Sequence, residues 1–245
     1  VTERSDSISA GHPAHRDDSL PAAVLWDMDG TLIDTEPYWM SAETELVEAH
    51  GGIWTREDGL AMIGRPMSAC TAELRSRGVD LRDDEIRDFL HSRVAAGVAS
   101  GVPWQAGAED LLSALAAAGV PLALVTSSFA VLADPFARMV GLFDVVVSGD
   151  EVRHNKPHPE PYLTAAERLG VDIARCVAIE DSASGLASAG SAGARVVAVE
   201  VLVPVVAPVG VSRVRSLEAL GLRELARIAA GDVLDLRDVE ATARG

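Results

Sequence analysis

Residues 22–26, Ala-Ala-Val-Leu-Trp, are apolar without interruption and lead straight into Asp27-Met28-Asp29-Gly30-Thr31-Leu32-Ile33-Asp34-Thr35-Glu36. A five-residue run that is apolar at every position has no solvent face, so it reads as a strand buried on both sides, as in a parallel sheet. Ligands in open parallel sheets sit beyond the carboxyl ends of the strands. Asp27 and Asp29 fall at such an end, just before a glycine turn.

Two ordinary readings of that segment fail. A calcium loop opening at Asp27 needs glycine at its sixth position and a bidentate glutamate at its twelfth, and Leu32 and Tyr38 stand there. An Asp/Gly surface turn seldom follows a fully apolar strand with a second apolar pair, Leu32-Ile33, just behind it.

Further apolar runs occur at Pro121–Val125, Phe143–Val147, Cys176–Ile179 and Val196–Val199, and helix-like segments alternate with them. The alternation predicts an α/β fold with a doubly wound parallel sheet. Helical periodicity covers Ala108–Ala118 and Glu160–Leu169, each closed by a glycine suited to the left-handed position after a helix. Residues 196–211 read as a buried strand followed by a loop, because Glu200, Pro204, Pro208 and Gly210 interrupt them.

Between Glu36 and Trp104 no convincing strand is found, and four amphipathic helices are expected at Tyr38–Ala49, Arg56–Met62, Ser68–Arg77 and Asp83–Ala99. An all-helical insertion after the first strand lies outside the sheet, as a cap. The expected organisation is a core domain at 21–36 and 105–231, a helical cap domain at 37–104, a disordered tail at 1–20 and a C-terminal tail at 232–245.

Three other strand-to-helix junctions carry polar groups. Val125 is followed by Thr126-Ser127-Ser128, Asn155-Lys156-Pro157 precedes a helix, and Ile179 is followed by Glu180-Asp181-Ser182. Together with Asp27-x-Asp29-Gly-Thr, these resemble the four motifs of the haloacid dehalogenase superfamily, in its order and with the spacing of its helical-cap subgroup. That subgroup includes phosphoglycolate phosphatases and β-phosphoglucomutases. The resemblance covers about Pro21 to Leu225. Lys156 is the only lysine in the chain, and arginine's planar fork is no substitute for a compact ammonium between a carboxylate and a phosphate.

The resemblance implies a Mg2+-dependent phosphatase acting on a small phosphomonoester, with these roles. Asp27 attacks phosphorus and forms an aspartyl-phosphate, and Asp29 protonates the leaving oxygen and then activates water. Thr126 and Ser127 bind phosphate through a hydroxyl and a main-chain N–H, and Lys156 bridges Asp27 and the phosphate. Mg2+ is held by Asp27, the Asp29 main-chain carbonyl and Asp181, and Glu180 orients a metal-bound water. The second motif I aspartate separates phosphoryl transfer from dehalogenation. The alternative is a sugar phosphomutase of the β-phosphoglucomutase type, which places a histidine where this chain has Trp39. Trp39 and Arg65 are candidate specificity residues of the cap. Trp54, His91, His154 and His158 read as core, loop or helix-start residues.

Composition narrows the partners. A formal net charge of -16 and the lack of a basic run argue against nucleic acid, whose binding relies on clustered cations. No apolar run reaches the roughly 20 residues of a membrane span, and Val1–Leu20 has no apolar stretch of the kind that marks a secretory signal. Cys70 and Cys176 have no metal or redox spacing and read as reduced, buried thiols of a cytoplasmic protein. A small phosphorylated metabolite is the expected partner.

Overall fold

The structure is a computed structural model and describes residues 19–201 and 208–238. Six strands, β1 (Val24–Trp26), β2 (Leu122–Val125), β3 (Val145–Val147), β4 (Val177–Glu180), β5 (Arg195–Val199) and β6 (Ser212–Val214), form one sheet in the order β3-β2-β1-β4-β5-β6. All five pairings are parallel. From β1 the chain builds outward through β2 and β3 on one side, then returns to build β4, β5 and β6 on the other. The order therefore reverses at β1, and such a switch point leaves a crevice at the carboxyl ends of its strands.

Alternate residues of the strands feed two cores. Val24, Trp26, Leu122, Leu124, Val177 and Ile179 face one side, and Ala23, Leu25, Ala123, Val125 and Ala178 the other. The first side is covered by α5 (Ala108–Ala117), α6 (Ala130–Val140) and α9 (Leu222–Ala229), through Leu112, Phe136, Leu225 and their neighbours. The second is covered by α7 (Glu160–Leu169) and α8 (Ala183–Ala192), through Tyr162, Ala165, Leu186 and Ala189. Burial on both faces explains why β1 and β2 are apolar along their length and β4 is apolar up to its last residue, Glu180.

The insertion between β1 and β2 is helical throughout: α1 (Glu36–Ala49), α2 (Arg56–Leu60), α3 (Met67–Ser76) and α4 (Asp83–Ser100). It has a core of its own, which includes Leu46, Val47, Trp54, Cys70, Leu74, Ile86 and Leu90. Helix α2 starts on a reciprocal cap, where Thr55 Oγ1 accepts the Asp58 N–H and Asp58 Oδ2 accepts the Thr55 N–H. Helix α4 outlasts the cap: Val94 and Val98, near its C-terminal end, belong to the core cluster on the sheet.

Two departures from the sequence expectation lie at the far edge. The loop expected after β5 is followed by a sixth strand, β6, whose Ser-Arg-Val sequence is too short and too polar to signal a strand. Part of that loop, 202–207, lies outside the described residues, as do 1–18 and 239–245 of the expected tails. The rest of the C-terminal tail is not free. Residues 234–236 run beside β6, with Arg213 N–H donating to Leu234 O at 2.8 Å, Leu236 N–H donating to Arg213 O at 2.8 Å, and Leu234 buried. An edge strand exposes unpaired backbone groups, and this segment satisfies them.

Both cysteines are buried and free. Among the described residues no helix is long and apolar enough to cross a membrane.

Candidate active site

Register places the site. Trp26 of β1 pairs with Leu124 of β2 and Ile179 of β4, so the residues that follow all three stand at one level at the carboxyl edge of the sheet. Asp27, Val125-Thr126 and Glu180-Asp181 are those residues, and the loop ahead of α7 brings Lys156 to them from below.

Lys156 Nζ lies 2.6 Å from Asp27 Oδ1, 2.6 Å from Glu180 Oε1 and 2.9 Å from the Val125 carbonyl oxygen. These three acceptors use the three N–H bonds of the ammonium. Its side chain is 2% exposed. Burial alone would lower the lysine pKa, but the Asp27 and Glu180 carboxylates more than reverse this and hold it charged. In this arrangement the ammonium joins two carboxylates, and reaching a phosphate requires it to share or release one of them.

Glu180 is fully buried. Its Oε1 also accepts the Tyr162 hydroxyl at 2.6 Å, and its Oε2 accepts the Ser182 hydroxyl at 3.2 Å. The sequence reading passed over Tyr162, an aromatic at core spacing in α7 that carries no sequence mark of its polar contact. Gly185, in the first turn of α8, is packed against the Glu180 carboxylate, where a side chain would collide.

Oxygens of Asp27, Glu180 and Asp181 all lie within 4.8 Å of one another. Asp181 accepts the Thr31 hydroxyl at 3.2 Å. Gly30, at φ 84°, leaves the space in which Asp181 sits, since a Cβ there would come within 2.1 Å of Asp181 Oδ2. Burial, and after it the neighbouring Glu180 charge, pushes the Asp27 carboxyl up to about 7. Burial and the Asp27 charge push Asp181 well above the usual carboxylate range. Three crowded carboxylates facing one lysine leave excess negative charge, and their hard oxygen donors fit a divalent cation such as Mg2+.

The Asp29 carboxylate is outside this group. Its Oδ1 accepts the Thr35 hydroxyl at 2.6 Å and the Trp39 indole N–H at 3.4 Å, and its Oδ2 accepts the Ser128 hydroxyl at 2.7 Å and the Thr126 hydroxyl at 3.3 Å. Thr126 Oγ1 in turn accepts the Ser128 N–H at 2.9 Å. Trp39 thus ties the first cap helix to an aspartate of the core. Thr35 and Ser128 stand inside the sequence motifs, but nothing in their spacing marks them as partners of Asp29.

Ser127 is exposed, its hydroxyl donating to Asn155 Oδ1 at 3.1 Å, and Asn155 Oδ1 also accepts the Lys156 N–H at 2.9 Å. The loop after β2 is thereby joined to the loop that carries the lysine. Gly149 permits this approach, because a Cβ there would stand 2.1 Å from Ser127 O. Arg65 is exposed in the cap and directs its guanidinium to Met62 Sδ at 4.0 Å. His91, read from sequence as core or surface, is buried between Trp39 and Phe129, with ring centroids 5.2 Å and 4.9 Å away. It links cap to core, and burial lowers its pKa.

Comparison with known proteins places the chain in a family. Residues 21–193 match the model of the haloacid dehalogenase-like hydrolases. The protein CbbY of Rhodobacter capsulatus is 35% identical over 189 residues, covering 71% of this chain and 83% of that protein. A phosphorylated carbohydrates phosphatase of Thermotoga maritima is 32% identical over 176 residues, covering 70% and 81%. The crystal structure of CbbY from Rhodobacter sphaeroides in complex with phosphate matches with a TM-score of 0.72 at 29% identity, over 84% of this chain and 99% of that one. The chain belongs to the haloacid dehalogenase-like hydrolases, and as an enzyme it stands among the phosphoric monoester hydrolases of that family.

Proposed function

We propose that the protein is a Mg2+-dependent phosphatase that hydrolyses a small phosphorylated sugar or polyol through an aspartyl-phosphate at Asp27. The observation that carries the reading is the division of labour between the two motif I carboxylates. Asp27 lies with Glu180 and Asp181 and is paired to Lys156, whereas the Asp29 carboxylate is held apart by four donors from Thr35, Trp39, Thr126 and Ser128.

Asp27 sits at the end of the central strand with one oxygen on the lysine, leaving the other to attack phosphorus in line with the leaving oxygen. Asp29, turned aside on rotatable hydroxyl partners, is placed to swing a proton to the leaving alcohol and to take one from the attacking water. Thr126 and Ser127 stand beside it to bind the phosphoryl oxygens. Asp27, Asp181 and the Asp29 main-chain carbonyl are the groups that would hold Mg2+, with Glu180 beside them. Bound there, the ion supplies positive charge that neutralises the phosphoryl oxygens. The sugar reading rests on the names of the relatives, a phosphorylated carbohydrates phosphatase among them.

A panel of phosphate esters assayed with Mg2+, reading inorganic phosphate, tests the proposal. Release of phosphate from sugar or polyol phosphates at a rate matching substrate loss is expected. Phosphomutase chemistry would show instead as conversion of β-glucose 1-phosphate, with a trace of bisphosphate, to glucose 6-phosphate by phosphorus NMR. That product in excess over free phosphate would overturn the hydrolase reading. Trp39, whose indole cannot exchange protons, favours hydrolysis.

A further inference from the structure

His154, His158 and Glu160 lie on the loop before α7 and at its start, outside the carboxylate group, and the hydrolytic chemistry uses none of them. The two imidazole rings are 4.6 Å apart between centroids and 34° from parallel. His154 Nδ1 is 2.8 Å, and His158 Nδ1 3.9 Å, from Glu160 Oε2. One ligand atom from each of the three residues lies within 4.8 Å of the other two.

We propose that these three side chains form a second metal site, one for a single borderline transition ion of the Zn2+ class and separate from the Mg2+ position. The donor set argues for the class, since imidazole nitrogen suits Zn2+, Ni2+ and Cu2+, whereas Mg2+ takes oxygen and keeps its waters. Spacing supports it. Donors bound at 2.0–2.1 Å around a tetrahedral ion stand about 3.3 Å apart, and the two nitrogen–oxygen separations here fall on either side of that value.

The carboxylate is fixed before any ion arrives. Glu160 is pinned by the Arg153 N–H on Oε1 at 2.8 Å and the His154 N–H on Oε2 at 3.1 Å. His158 Nδ1 accepts the Glu160 main-chain N–H at 3.2 Å, so that nitrogen carries no proton, and an ion would take its lone pair from that N–H. His154 Nδ1 stands at hydrogen-bond distance from Glu160 Oε2, an oxygen that can only accept when ionised, so ligation through Nδ1 requires that proton to move to Nε2 or to solvent and frees the lone pair for the ion. The His158 carbonyl is anchored to α8 by the Ser188 hydroxyl at 2.6 Å. Both histidine side chains are more than half exposed, which leaves an entry path and room for a water as fourth ligand. Because Lys156 lies midway between the two histidines in sequence, an ion here cross-links the chain on either side of it.

The test uses the full chain without a polyhistidine tag, saturated with Mg2+ so that the carboxylates are occupied, and titrates Zn2+ by calorimetry. Binding is the readout because added zinc can also disturb turnover at the carboxylates. One zinc per chain is expected, with the same affinity in Asp181→Asn. In His154→Ala/His158→Ala the affinity should fall by at least ~10-fold, the least that loss of ligand support costs a metal site. The single variant His154→Ala, which alters only an exposed side chain, serves if the double variant loses its circular dichroism. No zinc uptake by the Mg2+-saturated protein, uptake unchanged by the histidine substitutions, or uptake abolished by Asp181→Asn would overturn the proposal.

Discussion

Gly185 lies so close to Glu180 that a Cβ built on it would stand 1.9 Å from the Glu180 carboxyl carbon. No rotation of a fully buried carboxylate relieves a contact of that kind, so a side chain at 185 must move Glu180, and with it the bonds to Lys156 and Tyr162. Alanine is ordinarily better than glycine inside a helix by about 0.5–1 kcal/mol. Gly185→Ala should therefore act against propensity, lowering kcat by roughly 100-fold as the lysine and nucleophile shift. Steady-state assay together with circular dichroism checks it, and an active, more stable variant would contradict the geometry.

Asp27→Asn preserves shape but removes the attacking oxygen's charge, and turnover should vanish while the fold persists. Lys156→Arg should be severely impaired as well, since a planar fork does not match three acceptors converging on one nitrogen. Near-native hydrolysis by either purified variant would remove that residue from the chemistry.

Removal of Mg2+ by chelation should abolish activity, and the affinity for Mg2+ should depend on pH. Without metal, burial and Glu180 push Asp27 up to about 7. Below that value a proton competes with the cation for the carboxylate. The Mg2+ concentration giving half-maximal rate should fall as pH rises from about 5 to 7, by up to ~10-fold per unit for one competing proton, and level off above 7. A profile flat across this range would show that Asp27 titrates elsewhere.

Glu43, on α1, is 4% exposed in the cap interior, where it accepts the Trp54 indole N–H at 3.2 Å and the Cys70 thiol at 3.4 Å. Burial raises its pKa to about 7, although those two donors oppose the rise. The folded state therefore holds a proton here that the unfolded chain, titrating near 4.5, has already released. Stability contributed by neutral Glu43 is full below the unfolded value and is lost as pH climbs through 7. Trp54 and Cys70 donate to different oxygens of Glu43, so Glu43→Gln keeps an oxygen for one of them, and it has no charge to bury. It should raise stability at pH 8 by about 1–3 kcal/mol and leave pH 4 nearly unchanged, measured by denaturant unfolding. Equal effects at both pH values would count against an ionising Glu43.

Trp39→Phe should keep the packing against His91 but remove the N–H from Asp29. The expected result is a changed ranking of sugar phosphates with a smaller effect on a generic ester such as acetyl phosphate. Arg65→Ala, in contrast, removes an exposed side chain that contacts Met62 and should leave acetyl phosphate hydrolysis unchanged. A uniform loss across substrates for Trp39→Phe would make the indole structural.

By itself the sequence determined the layers and the strand ends. Doubly buried strands must be apolar at every position, so β1, β2 and β4 announce themselves, and the polar residues that end those runs, Asp27, Thr126 and Glu180, stand at the sheet's carboxyl edge for the same reason. The helical insertion was equally legible, from helical periodicity and glycine punctuation between Glu36 and Trp104. Only the tertiary structure decided which of the motif carboxylates meet. Asp27 and Asp29 are two residues apart, yet one joins Glu180 and Asp181 while the other turns to Thr35, Trp39, Thr126 and Ser128, donors that the cap helix and the loop after β2 bring to it. Tyr162 and Gly185 belong to the same class of hidden information. Their contribution is contact with the Glu180 carboxylate, made by Tyr162 from α7 and by Gly185 across the start of α8, and residue pattern carries no record of such contacts. β6 shows the limit from the other side, since a three-residue edge strand is made by its neighbours, β5 and the segment around Leu234, more than by its own residues.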